Sequence, residues 1–175
     1  VTTFSCTAGV CEVGVCNEGL VDDNGDPVDG CEARQIVWVN SGNSGDTAQD
    51  GSEAHPFDSI KTALGKVAIG GTVKIHPGFY NGNQVYIETP GVLVEGLGSN
   101  PSEVLLETGP NYNMFVIKAD DVEITNLSLR GGGVAVYISE AVSTNNVRLH
   151  NLHIFDLATN NGYDVVGVYM RGGEN

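Results

Sequence analysis

Apolar residues along most of this chain come in short runs, each set off by Gly, Asn, Asp or Pro. After an opening β-rich run at 35–39, they recur at 73–75, 85–87, 92–94, 104–106, 114–117, 122–129, 134–138, 147–154 and 165–170. Runs of this length, rich in Val and Ile and bounded by turn formers, read as strands. Helical spacing appears once, over 56–68, where Phe57, Ile60, Leu64 and Val67 share a stripe. Pro56 suits the first turn of that helix, Asp58 favours its N-terminal dipole, and Gly70-Gly71 stop it. Between the first strand and the helix, 40–54 is too polar to be core. With no helices between the later strands, a βαβ fold is excluded.

An internal repeat decides among the remaining all-β architectures. Residues 121–129 align without gaps on 146–154, an offset of 25. A looser copy lies at 91–97, and a second strand type occurs at 134–138 and again at 166–170. Strand-and-turn repeats of about 20 to 30 residues mean a solenoid, each coil burying its apolar face on the next. The expected fold is therefore all-β, a right-handed parallel β-helix with an N-terminal capping helix. Asn126 and Asn151 hold equivalent places between strands, where stacked amides can hydrogen-bond along a ladder and tolerate the bend. Tyr137 and Tyr169 are likewise equivalent and predict a short aromatic stack.

Composition then narrows the setting. The chain has 175 residues and a net charge of -14, which repels nucleic acid and anionic lipid. No stretch approaches the roughly 20 apolar residues of a membrane span, so membrane insertion is not expected, and Val1 reads as a terminus left by processing. All four cysteines, Cys6, Cys11, Cys16 and Cys31, fall in the first 31 residues. An even cluster in a Gly-rich acidic segment predicts two disulfides and an oxidising, secreted or cell-surface location. Three pairings are open. The spacing lacks the C-x2-C knuckles usual for structural zinc. Residues 1–33 thus form a cysteine-rich module, and 34–175 the β-helix.

The residues of the body resemble a known family. Val39, Gly45-Asp46, Asp50-Gly51-Ser52, Pro56-Phe57, Ser59-Ile60, Ala63-Leu64, Val73 to Ile75 and Pro77-Gly78-Phe79-Tyr80 are similar to the N-terminal half of pectin-lyase-like parallel β-helix proteins. That resemblance implies that the helix caps the first coil. It says little of substrate, because the fold hosts lyases, hydrolases, adhesins and spikes. The first 33 residues resemble short cysteine-rich repeats of bacterial cell-surface proteins through Cys16, Gly19, Asp22, Asp26, Pro27, Gly30-Cys31 and Glu32, with Asp23 where many such repeats carry a further cysteine.

Asp22, Asn24 and Asp26 alternate as oxygen ligands do in calcium loops, and Asp29 and Glu32 stand close enough to complete a hard-cation shell, which makes calcium the one cofactor expected. Acids in the coils are scattered singly rather than clustered as a lyase or hydrolase site needs. His150 and His153 read as exposed strand residues, and no catalytic residue is assigned. The expected function is a non-catalytic extracellular structural or interaction protein that self-associates. Its open last coil, Val166, Val168 and Met170, would pair head to tail with Ile36, Val37 and Trp38 of another copy to give a filament. The alternatives are a polysaccharide lyase or glycoside hydrolase, a module binding extracellular glycan, or a piece of a larger adhesin.

Overall fold

The structure, a computed structural model, describes residues 4–7, 10–13, 34–82, 84–110, 112–139, 144–158 and 165–170. Two short strands, β1 (Phe4–Thr7) and β2 (Val10–Val13), form an antiparallel pair by themselves. In the body, every strand pairing is parallel. The larger sheet joins β3 (Arg34–Val39), β4 (Val67–Ile75), β5 (Gly78–Asn81), β7 (Leu93–Gly96), β8 (Val104–Thr108), β10 (Glu123–Gly131) and β12 (Arg148–Phe155), and it curls like half a barrel. A second sheet has the order β13-β11-β9-β6, from β6 (Val85–Ile87), β9 (Asn113–Ile117), β11 (Val134–Ile138) and β13 (Val166–Met170).

From β4 onward, strands adjacent in sequence do not pair with each other; each pairs with a strand from a neighbouring repeat. The register sets Val37 beside Val73, Val73 beside Val94, Val94 beside Ile124 and Ile124 beside Leu149. The first four of these five residues are wholly buried, whereas Leu149 is half-buried. A second column runs Ile87, Ile117, Ile138, Met170, from fully buried to 70 % exposed. Inward side chains thus stack on like side chains, and each column loses its cover at the last strand.

Corners are cut by residues with positive φ. Gly70 (75°), Gly91 (73°), Asp121 (59°) and Asn146 (54°) mark one corner; Asn126 (58°) and Asn151 (51°) a second; Gly131 (74°) and Asp156 (46°) a third. Among side-chain-bearing residues, Asn and Asp bear this left-handed conformation best. At the second corner the Asn126 Nδ2 donates to the Gly96 and Gly98 carbonyls, both at 2.7 Å, and the Asn151 Nδ2 donates to Asn126 Oδ1 at 2.9 Å. Gly96 must be Gly, since a Cβ there would lie 2.0 Å from the Asn126 carbonyl. The first corner repeats the device, with Asn146 Nδ2 donating to Asp121 Oδ1 at 2.9 Å.

The helix is shorter than its sequence suggests. It is confined to α1 (Ile60–Leu64), with Ser59 as N-cap accepting from the Thr62 N–H. Phe57 is instead bridged to Val39 as an extended residue, and Val67, Gly70 and Gly71 belong to β4. Pairing to β3 claims those backbone groups before the helix can extend. β5 was not anticipated, since its pattern Gly78-Phe-Tyr-Asn81 carries a single buried side chain, Tyr80.

Leu127 is fully buried, and its partner across β12, Leu152, is only half-buried. Leu127→Asp should therefore cost on the order of 4 kcal/mol or more, as an unpaired charge in the core, and Leu152→Asp far less; equal melting shifts in a thermal denaturation would refute this register. At the second corner, Asn126→Gly should be milder than Asn126→Ala by about 1 kcal/mol, because alanine adds left-handed strain to the shared loss of hydrogen bonds.

Candidate functional site

Placed in this frame, several ionisable side chains of the described residues pair off across neighbouring strands. Arg130 bonds Glu107 through Nε at 2.7 Å and through Nη2 to the same oxygen. Glu123 receives His150 Nε2 at 2.9 Å and faces Arg148 at 3.8 Å, while His150 Nδ1 meets the Thr125 hydroxyl at 3.2 Å. Lys118 pairs with Glu88 at 2.9 Å. His153 stacks on Phe155 with centroids 4.5 Å apart, while the His150 ring is engaged by Glu123 and Thr125. Among the described residues no three of His, Cys, Asp and Glu gather as a cation cage. Of the three arginines in the coil region, Arg130 is held by Glu107, Arg148 lies 3.8 Å from Glu123, and Arg171 lies outside the described residues.

Asp22, Asn24, Asp26, Asp29 and Glu32 lie outside the described residues, as do Cys16 and Cys31. Cys6 and Cys11 sit on β1 and β2, opposite each other in the register. A cavity of about 340 Å³ opens between α1 and β5, lined among others by Asp58, Ser59, Lys61, Tyr80 and Asn81. Burial pushes the Tyr80 phenol above its ordinary value, a shift opposed by the Ser41 N–H. The hydroxyl donates to the His76 carbonyl at 2.8 Å and accepts from Ser41 at 3.3 Å, tying β5 to the loop after β3. Tyr80 is thus a structural tie with its hydrogen-bonding capacity engaged.

The two ends of the stack differ. At the N-terminal end the outer edge of β3 is taken: Trp38 donates to the Gly51 carbonyl at 2.9 Å, Phe57 to that of Trp38 at 3.0 Å, and Asn40 to that of Phe57 at 2.8 Å. The loop doing this is fastened by its own polar side chains. Asn43 Nδ2 donates to the Pro56 carbonyl at 2.7 Å and Gln49 Nε2 to the Asn43 carbonyl at 2.7 Å, while Asp46 Oδ2 meets His55 Nδ1 at 2.9 Å. Beneath it, Phe57, Ile60, Ala63 and Leu64 close the core. The anticipated N-terminal docking edge, Ile36, Val37 and Trp38, lies on this strand. Val37 is 0 % exposed and has no side-chain surface to give, and the backbone at Trp38 is already bonded, leaving only the outward Ile36 and part of Trp38.

The last described strands differ. Among the described residues β12 pairs only with β10, and β13 only with β11. Val147, Leu149, Leu152, Ile154 and Leu157 rest half-buried on the core, while Val168 and Met170 are exposed. Tyr169 stacks on Tyr137 at 5.5 Å with rings 15° from parallel, the expected aromatic pair. Because Val166 N–H donates to the Gly133 carbonyl at 3.1 Å, alternation along β13 turns the backbone groups of Val166 and Val168 towards β11 and those of Gly167 and Tyr169 outward. The open edge is therefore presented by Gly167 and Tyr169, a distinction that hydropathy alone does not carry.

No protein-family model, curated protein or solved structure matches the chain.

The loop offers a check by pH. Hydrogen bonds to the Asp46 carboxylate, first from the Ala48 N–H and then from His55 and Asn43, hold its pKa below the ordinary 3.8. A lowered folded-state value stabilises the protein fully above the unfolded value, near about 3.9, and the contribution is lost as pH falls through the folded value. Asp46→Asn should accordingly lower the melting temperature at neutral pH, and its gap from the parent should close in acid; a gap constant with pH would refute the assignment.

Proposed function

We propose that the body is a right-handed parallel β-helix, and that the chain is a non-catalytic extracellular module whose work is to associate through its C-terminal edge. The fold reading rests on the register: Val73, Val94, Ile124 and Leu149 recur at one position of successive circuits, and β6, β9, β11 and β13 recur at another. Right-handedness follows the strong rule for parallel crossovers. The extracellular setting is supported by the cysteine cluster and by the acidity of the chain.

One observation carries the functional reading: the apolar edge shown by β12 and β13, the last described strands. Apolar residues that are wholly buried in earlier circuits, at the positions of Ile124 and Ile138, become half-buried Leu149 and exposed Met170 in the last. An edge that pairs on one side and shows apolar side chains is a template for another strand layer. The occupied outer edge of β3 argues against a head-to-tail filament and favours closed association of this end with a second copy. A glycan reading would look to the outward aromatics Trp38 and Tyr86. Lys74 lies 5.0 Å from the Trp38 ring and Lys118 4.2 Å from the Tyr86 ring, and Trp38 also stacks on His76, so both rings already have partners.

Light scattering on the whole chain across a concentration series tests the reading. A small, closed oligomer is expected, and Gly167→Pro should return it to monomer while leaving the far-UV spectrum unchanged, because the lost N–H points outward. Calcium chelation should weaken association if Asp22, Asn24, Asp26, Asp29 and Glu32 hold the ion. A parent chain monomeric at high concentration with calcium present, or a Gly167→Pro variant that associates normally, would overturn the proposal; cleavage of a uronate polymer would replace it with the enzymatic alternative.

A further inference from the structure

The geometry points to a specific disulfide framework: Cys6 bonded to Cys11 across the β1–β2 hairpin, and hence Cys16 to Cys31. Four cysteines permit three pairings, and the sequence alone favours none of them. The hairpin register does. Thr7 is opposite Val10 with only residues 8 and 9 between, and the next pair outward is Cys6 opposite Cys11. In a two-residue hairpin the pair flanking the loop exchanges the hydrogen bonds, so the next pair is of the non-hydrogen-bonded kind. Such pairs bring their Cα atoms to about 4.5 Å, inside the roughly 4.4 to 6.8 Å that a disulfide spans, with the side chains at their closest approach. A register slipped by one residue would set either cysteine against a non-cysteine neighbour.

Bond formation takes two protons and two electrons from the two thiols and joins their sulfurs. The acceptor is a disulfide oxidant of an oxidising compartment, such as oxidised glutathione. One cysteine thiolate attacks it to form a mixed disulfide, and the other then displaces the reduced carrier thiol. With Cys6 and Cys11 joined, only Cys16 and Cys31 are left for each other. The framework then has two independent parts: a short clip that fixes the hairpin, and a wider loop that encloses Asp22, Asn24, Asp26 and Asp29. The expected calcium ligands within residues 17–30 would be gathered by that second bond alone.

Glutamate-specific digestion reads this out directly. Cleavage after Glu12, Glu18 and Glu32 puts Cys6 and Cys11 together on peptide 1–12, Cys16 on 13–18 and Cys31 on 19–32. The full chain, produced in an oxidising compartment, blocked with an alkylating reagent and digested without reduction, should give peptide 1–12 lighter by two hydrogens than its reduced form. It should also give 13–18 joined to 19–32. Any species linking 1–12 to either of the other peptides, or alkylated Cys6 and Cys11, overturns the assignment. The Cys6→Ser/Cys11→Ser double variant supplies a second readout. It should keep the 13–18 to 19–32 link, and loss of that link would show that the two bonds are not independent.

Discussion

A chain that stacks parallel strands must turn sharply between them and still satisfy every backbone group at the turn. Here a column of left-handed residues does both. Asn126 and Asn151 adopt positive φ and pass their side-chain amides along the stack, the first to the Gly96 and Gly98 carbonyls and the second to the first. Asp121 and Asn146 repeat the arrangement one corner away. Since a residue other than Gly, Asn or Asp strains a left-handed turn, the corners are where the sequence of the fold is least free. The apolar columns between them depend on this alignment: Val37, Val73, Val94 and Ile124 meet because the corners keep successive strands in step.

Much of this was legible in the sequence. The offset between 121–129 and 146–154 predicts the parallel pairing of β10 with β12 residue for residue, from Glu123 beside Arg148 to Leu129 beside Ile154. The asparagine contact follows from the same alignment, and the tyrosine stack from the second repeat, 134–138 on 166–170. Other features were hidden for physical reasons. β5 contributes one inward side chain and so has no run to detect, and helical spacing at Phe57 and Val67 was overridden by strand pairing on either side of α1. The third corner, Gly131 and Asp156, obeys the same offset, but its two residues share no chemistry beyond tolerance of positive φ.

The charged side chains of the body are matched largely across neighbouring strands. Four carboxylates of the body, Glu88, Glu107, Glu123 and Asp46, are each matched to a cation or a histidine within the same surface. Such exposed pairs add little stability singly, about 0 to 1 kcal/mol. They do fix the local partners of Lys118 and Arg130 on the surface of the sheets. What distinguishes the surface is its ends, one closed by a polar loop over a short helix and the other left with its apolar column showing.

The side-chain ladder also has a direction in time. Asn126 gives its hydrogens to Gly96 and Gly98, and Asn151 gives its own to Asn126, so each amide leans on residues that precede it in the chain. During synthesis from the N-terminus, the acceptor for every such rung is already in place when its donor emerges. The cap over β3 precedes all of these rungs in the chain, so the strands can be laid down in the order they are made, each finding a finished template instead of waiting for one.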